Sequence, residues 1–493
     1  MSYRLYIVLF FVLNIISNSV FAQEKVVELR LDEVIERAQA NAPEVRIAKA
    51  RLERNRMTYN DQLLELKPLL SLDARLPVFN SGIQQLIQDD GTQAFRRAQS
   101  LSSNLSVGIS QNIARTGGRV NVGTDFRQVL NFLPREDGGN KSFYFSNPIY
   151  INITQPIFGF NSFKWDKKIQ PLVLQEAERE YTEQLADIAQ QAVTYFFDLY
   201  IAQLNLESAK RDKKNADELY ELAKNRFSVG KIAEADVLQM ELGVMQAEAR
   251  QATAELNIQS NSYDLRFFLG IDVVDKIVLV VPGGVPQYLI SPTLALEQAK
   301  LNRKFILTQN RQRTESERDV ERVKKENGVN IDVQAGFGLS KQDERFQNIY
   351  AFPLEDQENI SVGISVPIAD WGRAKSKRQM VEADRELLEL TIEQENIDFE
   401  RNVSLKIRQF DIIRSQLAIA ERTNEVAEKR YDITQKRYTV GKVDVTELNV
   451  ALREQISAQQ NYTEALRSFW TAHYEIQRLT LYDFENERAL IER

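Results

Sequence analysis

The sequence predicts an α+β fold with an internal two-fold sequence repeat, and three observations carry that expectation. The first is duplication. Arg226-Phe227-Ser228-Val229-Gly230-Lys231 returns 211 residues later as Arg437-Tyr438-Thr439-Val440-Gly441-Lys442, and Gln155-Pro156-Ile157 and Val366-Pro367-Ile368 keep the same spacing. A repeated unit of this size implies one architecture built twice around a pseudo-symmetry axis. The second observation is a set of short segments whose hydrophobicity alternates with period two, and the third is a set of helical patterns far longer than the globular norm.

At the N-terminus Arg4 precedes the largely apolar run 5–16, and Val20-Phe21-Ala22 has the small-residue end of a cleavage site. Residues 1–22 therefore read as a secretory signal peptide, with a mature chain that leaves the cytoplasm. Beyond it no run of about 20 apolar residues occurs, which excludes a bundle of membrane-spanning helices. The chain has 493 residues and no cysteine, so it forms no disulfide, no thiolate metal site and no lipidated cysteine anchor. Its net charge of −7 gives no sign of a nucleic-acid surface. The expected organisation is a first structural repeat over 23–281, a linker over 282–292 that includes Pro282-Gly283-Gly284-Val285-Pro286, and a second repeat over 293–493.

Strand patterns come next. In 359–368, Ile360, Val362, Ile364, Val366 and Ile368 share one side, and Ser361, Gly363, Ser365 and Pro367 the other. Residues 104–113, 330–340 and 148–157 alternate in the same way, and 69–78 and 119–130 do so more weakly. About ten residues of alternation suffice to cross a bilayer as a tilted strand. A half-buried strand of a soluble sheet has the same period. The secretion signal and the polar connections at 79–103, 131–147 and 341–358 favour a barrel.

Between the strand groups, Tyr181, Leu185, Ile188, Ala192, Tyr195, Leu199, Ala202, Leu206 and Ala209 step by four and three, the mark of a heptad seam. Lys213 interrupts it before Ala216, Tyr220, Ala223 and Phe227 resume. The second copy has Ile392, Phe399, Val403, Phe410, Ile413, Leu417, Ala420, Ala427, Tyr431 and Tyr438. Segments 160–227 and 371–438 would each reach roughly 100 Å if wholly helical. Residues 31–67 with 235–269, and 293–328 with 446–480, match that length as pairs stacked end to end. The turn glycines suit a chain that leaves one helix for another.

These residues resemble the TolC-like outer-membrane efflux channels over nearly the whole mature chain. The carriers are the run Leu31-Asp32-Glu33-Val34-Ile35-Glu36-Arg37-Ala38-Gln39-Ala40-Asn41-Ala42-Pro43, the Gln155-Pro156-Ile157 strand exit and the two R-[FY]-x-V-G turns. Leu296, Ala299 and Asn302 echo the first run at an offset of 261, so the first copy carries about 50 extra residues in its strand region. The resemblance implies a homotrimer in which a transmembrane β-barrel of twelve strands, formed by the trimer, continues into a long antiparallel α-helical coiled-coil barrel across the periplasm. An open sheet in lipid would leave backbone groups unpaired at several kcal/mol each, so strands too few to close in one chain need other copies. The six candidate strands are two more than the family's four. The hairpin over 104–130 either adds strands to the barrel or projects beyond it.

The resemblance also implies site residues. A periplasmic gate would use Asp236 and Glu447, six positions after each turn glycine, with Tyr438 and Lys442 nearby. Three copies of Glu447 would ring a narrow axis and favour cations. Both acids also fit the first turn of a helix, where the macrodipole favours them. The family's further gate acid and arginine are Val450 and Val443 here, which leaves fewer charged links. The exposed tips Val229, Gly230, Lys231, Val440 and Gly441 would meet a periplasmic adaptor protein, and an inner-membrane transporter would supply the cargo. No cofactor, metal or catalytic grouping is expected, and the chain does not read as an enzyme. The lone His473 reads as a packing or interface residue. The function implied is the outer-membrane channel of a tripartite export system for small molecules. Type I protein secretion is the alternative, and a secreted periplasmic coiled-coil scaffold a more distant one.

Overall fold

Two helices of 67 residues dominate the computed structural model: α3, Ser162–Ser228, and α7, Arg373–Thr439, whose ends stand 211 positions apart as the repeat requires. The structure describes residues 26–87, 93–132, 140–271, 276–281, 285–286, 288–440, 442–443 and 445–491. The expected signal peptide and Pro282-Gly283-Gly284 of the expected linker lie outside them. In chain order the remaining elements are β1 (Val26–Arg30), α1 (Leu31–Asn41), α2 (Pro43–Leu64), β2 (Leu69–Ile87), β3 (Gln93–Ile113), β4 (Gly118–Phe132) and β5 (Lys141–Pro156) before α3. After it come α4 (Glu234–Leu269), β6 (Lys276–Val280), α5 (Pro292–Asn302), α6 (Lys304–Glu326), β7 (Asn330–Asp343) and β8 (Glu355–Ser365). Following α7 are α8 (Val445–Thr480), β9 (Tyr482–Asp483) and β10 (Arg488–Ala489). The chain divides into two units, one running up to Arg51 and over Arg179–Lys304 and Asp398–Arg493, the other over Leu52–Glu178 and Phe305–Ile397.

In the first unit much of the heptad seams is buried as their spacing predicts, although Phe227, at the end of the first, is 45% exposed. Ile188, Ala192, Leu199, Ala202 and Ala209 of α3 are buried, as are Val403, Phe410, Leu417 and Tyr431 of α7. Phe196 and Phe197 of α3, Leu265 and Phe268 of α4, Phe410 and Phe469 complete one core with the apolar face of α1. Each such side chain contributes about 2 kcal/mol on burial. The helix ends meet at two junctions. Asn302 at the end of α5 donates from Nδ2 to the carbonyl of Thr480, 3.1 Å away, at the end of α8. Gly270, just past α4, turns with φ +65° against the carbonyl of Asn41 at the end of α1. The expected single helices over 31–67 and 293–328 each break in two, at Ala42 before Pro43 and at Arg303. Proline explains the first break by disfavouring helical backbone in the residue before it.

Parallel pairing of β1 with β6 is an element that periodicity did not predict. Neither strand alternates, and Ile277-Val278-Leu279-Val280 is a continuous apolar run that periodicity does not tell from a helix segment. Gln203 of α3 pairs with this strand edge, donating to Ile277 O at 2.7 Å and accepting from Leu279 N at 3.3 Å, and so satisfies backbone groups that would otherwise be orphaned.

His473 of α8 is 2% exposed, with Tyr288 Oη 2.6 Å from Nδ1 and Gln477 Nε2 3.1 Å from its other ring nitrogen. Burial pushes its pKa from 6.5 down to about 4, with the Asp483 carboxylate opposing the shift. The unfolded chain binds the proton near pH 6.5 and the folded chain only near pH 4. Stability from the neutral ring is thus complete above pH 6.5 and is lost as pH falls toward 4, by about 3 kcal/mol in all. His473→Gln is expected to flatten this part of the pH dependence of unfolding. An unchanged slope would remove His473 as its source.

The second unit holds a six-stranded antiparallel sheet in the order β2-β3-β4-β5-β7-β8. Direct pairs carry one row of residues across it: Leu70, Ile109, Val122, Ile151, Phe337 and, on the edge strand β8, Glu358. The adjacent row, on the other face, is Leu69 on the edge strand β2, then Ser110, Asn121, Asn152, Gly336 and Asn359. In these rows the inner strands have one apolar face and one small or polar face, as the alternation predicts, and the exceptions, Leu69 and Glu358, stand on the edge strands. Several outward apolar side chains stand open in the single chain, among them Leu70 at 68% and Val362 at 58% exposure. In this chain the sheet has two free edges, β2 and β8. The strands of the 104–130 hairpin lie inside that sheet. Several strands outrun their sequence patterns, with β2 reaching Ile87 and β3 starting at Gln93. By contrast β8 stops at Ser365, so Val366-Pro367-Ile368 falls outside it. Proline lacks the N–H that would continue the ladder.

Candidate functional site at the repeated helix turns

Each repeated six-residue motif closes a 67-residue helix. At the first, Gly230 adopts φ +70°. Its N–H donates to Phe227 O at 2.8 Å and that of Lys231 to Arg226 O at 2.9 Å. These bonds satisfy the last carbonyls of α3, and a side chain on Gly230 would be strained at that φ. At the second turn the N–H of Lys442 donates to Arg437 O at 2.9 Å, the counterpart of the Lys231 bond. Gly441 lies outside the described residues. Val229 and Val440 are 66% and 67% exposed, and Lys231 and Lys442 are exposed too.

Among the expected gate residues, Glu447 stands in the first turn of α8, where the macrodipole favours an acid. Its carboxylate lies 3.8 Å from Arg437 Nη1, with both side chains half exposed. Arg437 is the cation that sequence reasoning missed, although it opens the repeated motif. Ten positions of sequence separate the two groups, and only the turn brings them together. Asp236 belongs to α4, but its side chain and that of Tyr438 lie outside the described residues. Behind the turn, Tyr431 of α7 packs with Leu448 and Ala451 of α8, and Leu219, Leu222 and Val443 close over them. Val443, where the family's arginine is missing, is therefore part of a small apolar core. Asn215 of α3 donates to Tyr431 Oη at 3.1 Å and ties the two long helices together there. Lys213, which interrupts the heptad seam, bridges Asp217 at 3.0 Å and Glu248 of α4 at 3.4 Å.

No group of side chains among the described residues could hold a metal ion. A family model for outer membrane efflux proteins matches residues 34–271 and 295–480, most of the chain and both copies of the repeat. The chain belongs to the outer membrane efflux protein family. Its location is the outer membrane and its function is that of an efflux channel. No curated protein matches the chain in sequence. Solved channels share its fold at low identity. The CmeC outer membrane channel of Campylobacter jejuni is 14% identical, covers 93% of this chain and 87% of its own, and superposes with a TM-score of 0.66. VceC of Vibrio cholerae is 13% identical, with 91% and 95% covered and a TM-score of 0.64. The MtrE channel of Neisseria gonorrhoeae in its open state is 13% identical, with 94% and 91% covered and a TM-score of 0.63.

Proposed function

We propose that this efflux protein works as a homotrimer, whose strands close a barrel in the outer membrane and whose helices form a periplasmic tunnel gated at the repeated turns. The observation that carries the trimer is a pair of unpartnered apolar seams in the first unit. On α4, Leu238, Leu242, Met245, Ala249, Ala252, Leu256 and Tyr263 follow heptad spacing and are all exposed. On α7, Leu405, Ile412, Ile419, Val426 and Ile433 recur every seventh residue and are 51–67% exposed. A strict seven-residue repeat is the spacing of a helix that packs on another helix. Charge complements it. Glu234, Glu241, Glu248 and Glu255 flank the α4 seam at heptad spacing, and Arg401, Arg408, Arg422, Lys429 and Lys436 flank the α7 stripe. An α7 stripe laid on the α4 seam of a second copy would bury both and bring the acidic row to the basic row. The free edges β2 and β8 call for the same solution, since three copies can close what one cannot.

The cargo on this reading is small molecules delivered by an inner-membrane transporter through a periplasmic adaptor that meets Val229, Gly230, Lys231, Val440 and Gly441. The signal peptide over 1–22, the repeats over 23–281 and 293–493 and the linker over 282–292 complete the proposal. Asp236, Tyr438, Lys442 and Glu447 form the gate, with Arg437 offsetting part of the Glu447 charge. The native mass of protein extracted by detergent from outer membranes tests the assembly: three copies are expected, and a monomer would sink the trimer. Glu447→Gln is expected to lower the cation-to-anion permeability ratio in bilayer recordings by about two- to tenfold, the range for removing three partly screened charges near a narrow axis. Unchanged selectivity would take Glu447 out of the gate.

A further inference from the structure

We infer that the β3–β4 hairpin crosses the membrane as part of the barrel wall, so that three copies close eighteen strands and not the twelve of the family resemblance. The inference rests on the trimeric channel proposed above, and what is new is the extra wall in each chain. In the sheet, β2 and β5 never pair with each other, because β3 and β4 stand between them. The register is continuous from Ile113↔Gly118 to Gln99↔Phe132 within the hairpin, with β2 paired along β3 and β5 along β4. Pulling the hairpin out would strip both neighbours of their ladders in a medium that offers no replacement.

The two faces of the hairpin decide its surroundings. Ile109 and Val122 lie in the same apolar row as Leu70, Ile151 and Phe337, and Asn121 lies in the polar row with Asn152. A hairpin folded into an aqueous lumen would expose Ile109 and Val122 to water, whereas acyl chains fit them. Glycines at positions 108 and 123 fix the hairpin against β5 on the polar face. A Cβ on Gly123 would lie 2.6 Å from Val107 O and 2.7 Å from Tyr150 Oη, so the Tyr150 ring lies over bare backbone. The hairpin turn is also tied down. Thr116 O accepts from Gln155 Nε2 at 3.0 Å, Ala114 O accepts from Asn161 Nδ2 at 2.9 Å, and Asn112 Nδ2 donates to Glu65 O at 3.1 Å. The turn is therefore held between the chain entering β2 and the chain leaving β5, at the helix-side end of the sheet.

A consequence follows for transport. With strands about 4.8 Å apart and tilted by about 40°, the wall diameter grows in proportion to strand number, from about 24 Å for twelve strands to about 36 Å for eighteen. The membrane segment would then pass cargo bulkier than a twelve-stranded exit admits.

The absence of native cysteine allows a direct test. Single variants Ile109→Cys, Val122→Cys, Asn121→Cys, Ile151→Cys and Val362→Cys of the full chain are labelled with an environment-sensitive fluorophore. They are then reconstituted in phosphatidylcholine vesicles with brominated acyl chains. Fluorescence loss at Ile109→Cys and Val122→Cys equal to that at Ile151→Cys and Val362→Cys is expected, with none at Asn121→Cys. Loss confined to Ile151→Cys and Val362→Cys would overturn the hairpin inference and leave the channel standing. No loss at any position would sink the membrane barrel and the inference with it. A detergent complex of other than three copies would overturn the count of eighteen.

Discussion

Protein carrying Ile412→Asp together with Ile419→Asp is expected to leave detergent extracts as a monomer that keeps its helical circular-dichroism signal. Both side chains are more than half exposed in the single chain, so the folded protomer loses little from the change. In the proposed trimer each isoleucine contributes about 2 kcal/mol on burial. An unpaired carboxylate in its place adds a desolvation cost of several kcal/mol. Two such positions recur at each of three interfaces, more than a closed ring can lose. Sedimentation or native mass spectrometry reads the result. A trimer that survives the double substitution would show that the α7 stripe faces something other than a second copy.

The second large effect concerns Glu183, which α3 holds 7% exposed. Its carboxylate accepts from Arg303 Nε at 3.2 Å, from Arg303 Nη2 at 3.1 Å and from the backbone N–H of Lys304 at 2.8 Å. Arg303 is the residue at which the helical pattern of the second copy breaks between α5 and α6, so the pair fixes that break against α3. Glu183 is buried but the Arg303 side chain is still 22% exposed, so the loss on removing one partner is that of hydrogen bonds to a charged group, about 1.5–3 kcal/mol, and not that of a fully buried pair. Glu183→Ala should therefore lower the unfolding free energy of the extracted protein by about that amount. Arg303→Met with Glu183→Leu, which removes both charges, should recover most of the loss. A Glu183→Ala protein as stable as the parent would show that the pair contributes nothing.

Much of this was legible in the residues. The strands of the sheet announced themselves because apolar side chains alternate with small or polar ones, and that difference repeats every second residue whatever the partner strand. The long helices did so because Ile188, Ala192 and Leu199 must share a face. Other features had no such signature. Arg437 beside Glu447 and Gln203 on the β6 edge are pairings across a turn or across 74 positions, and charged or amide side chains are too common on long helices for either to stand out. The β1–β6 pair was invisible because neither strand alternates.

By itself the sequence determined the duplication, the length of the paired helices, the number and polarity of the candidate strands and the turn that ends each long helix. These are local properties, written in periodicity and in single residues such as Gly230. Only the tertiary structure decided that β3 and β4 stand within the sheet, that Val443 joins a small core, that Arg437 reaches Glu447 and that Arg303 pairs with Glu183. Each of these depends on which distant segments come together. Alternation tells a strand which face is apolar, and its neighbour is chosen by pairing with segments distant in sequence.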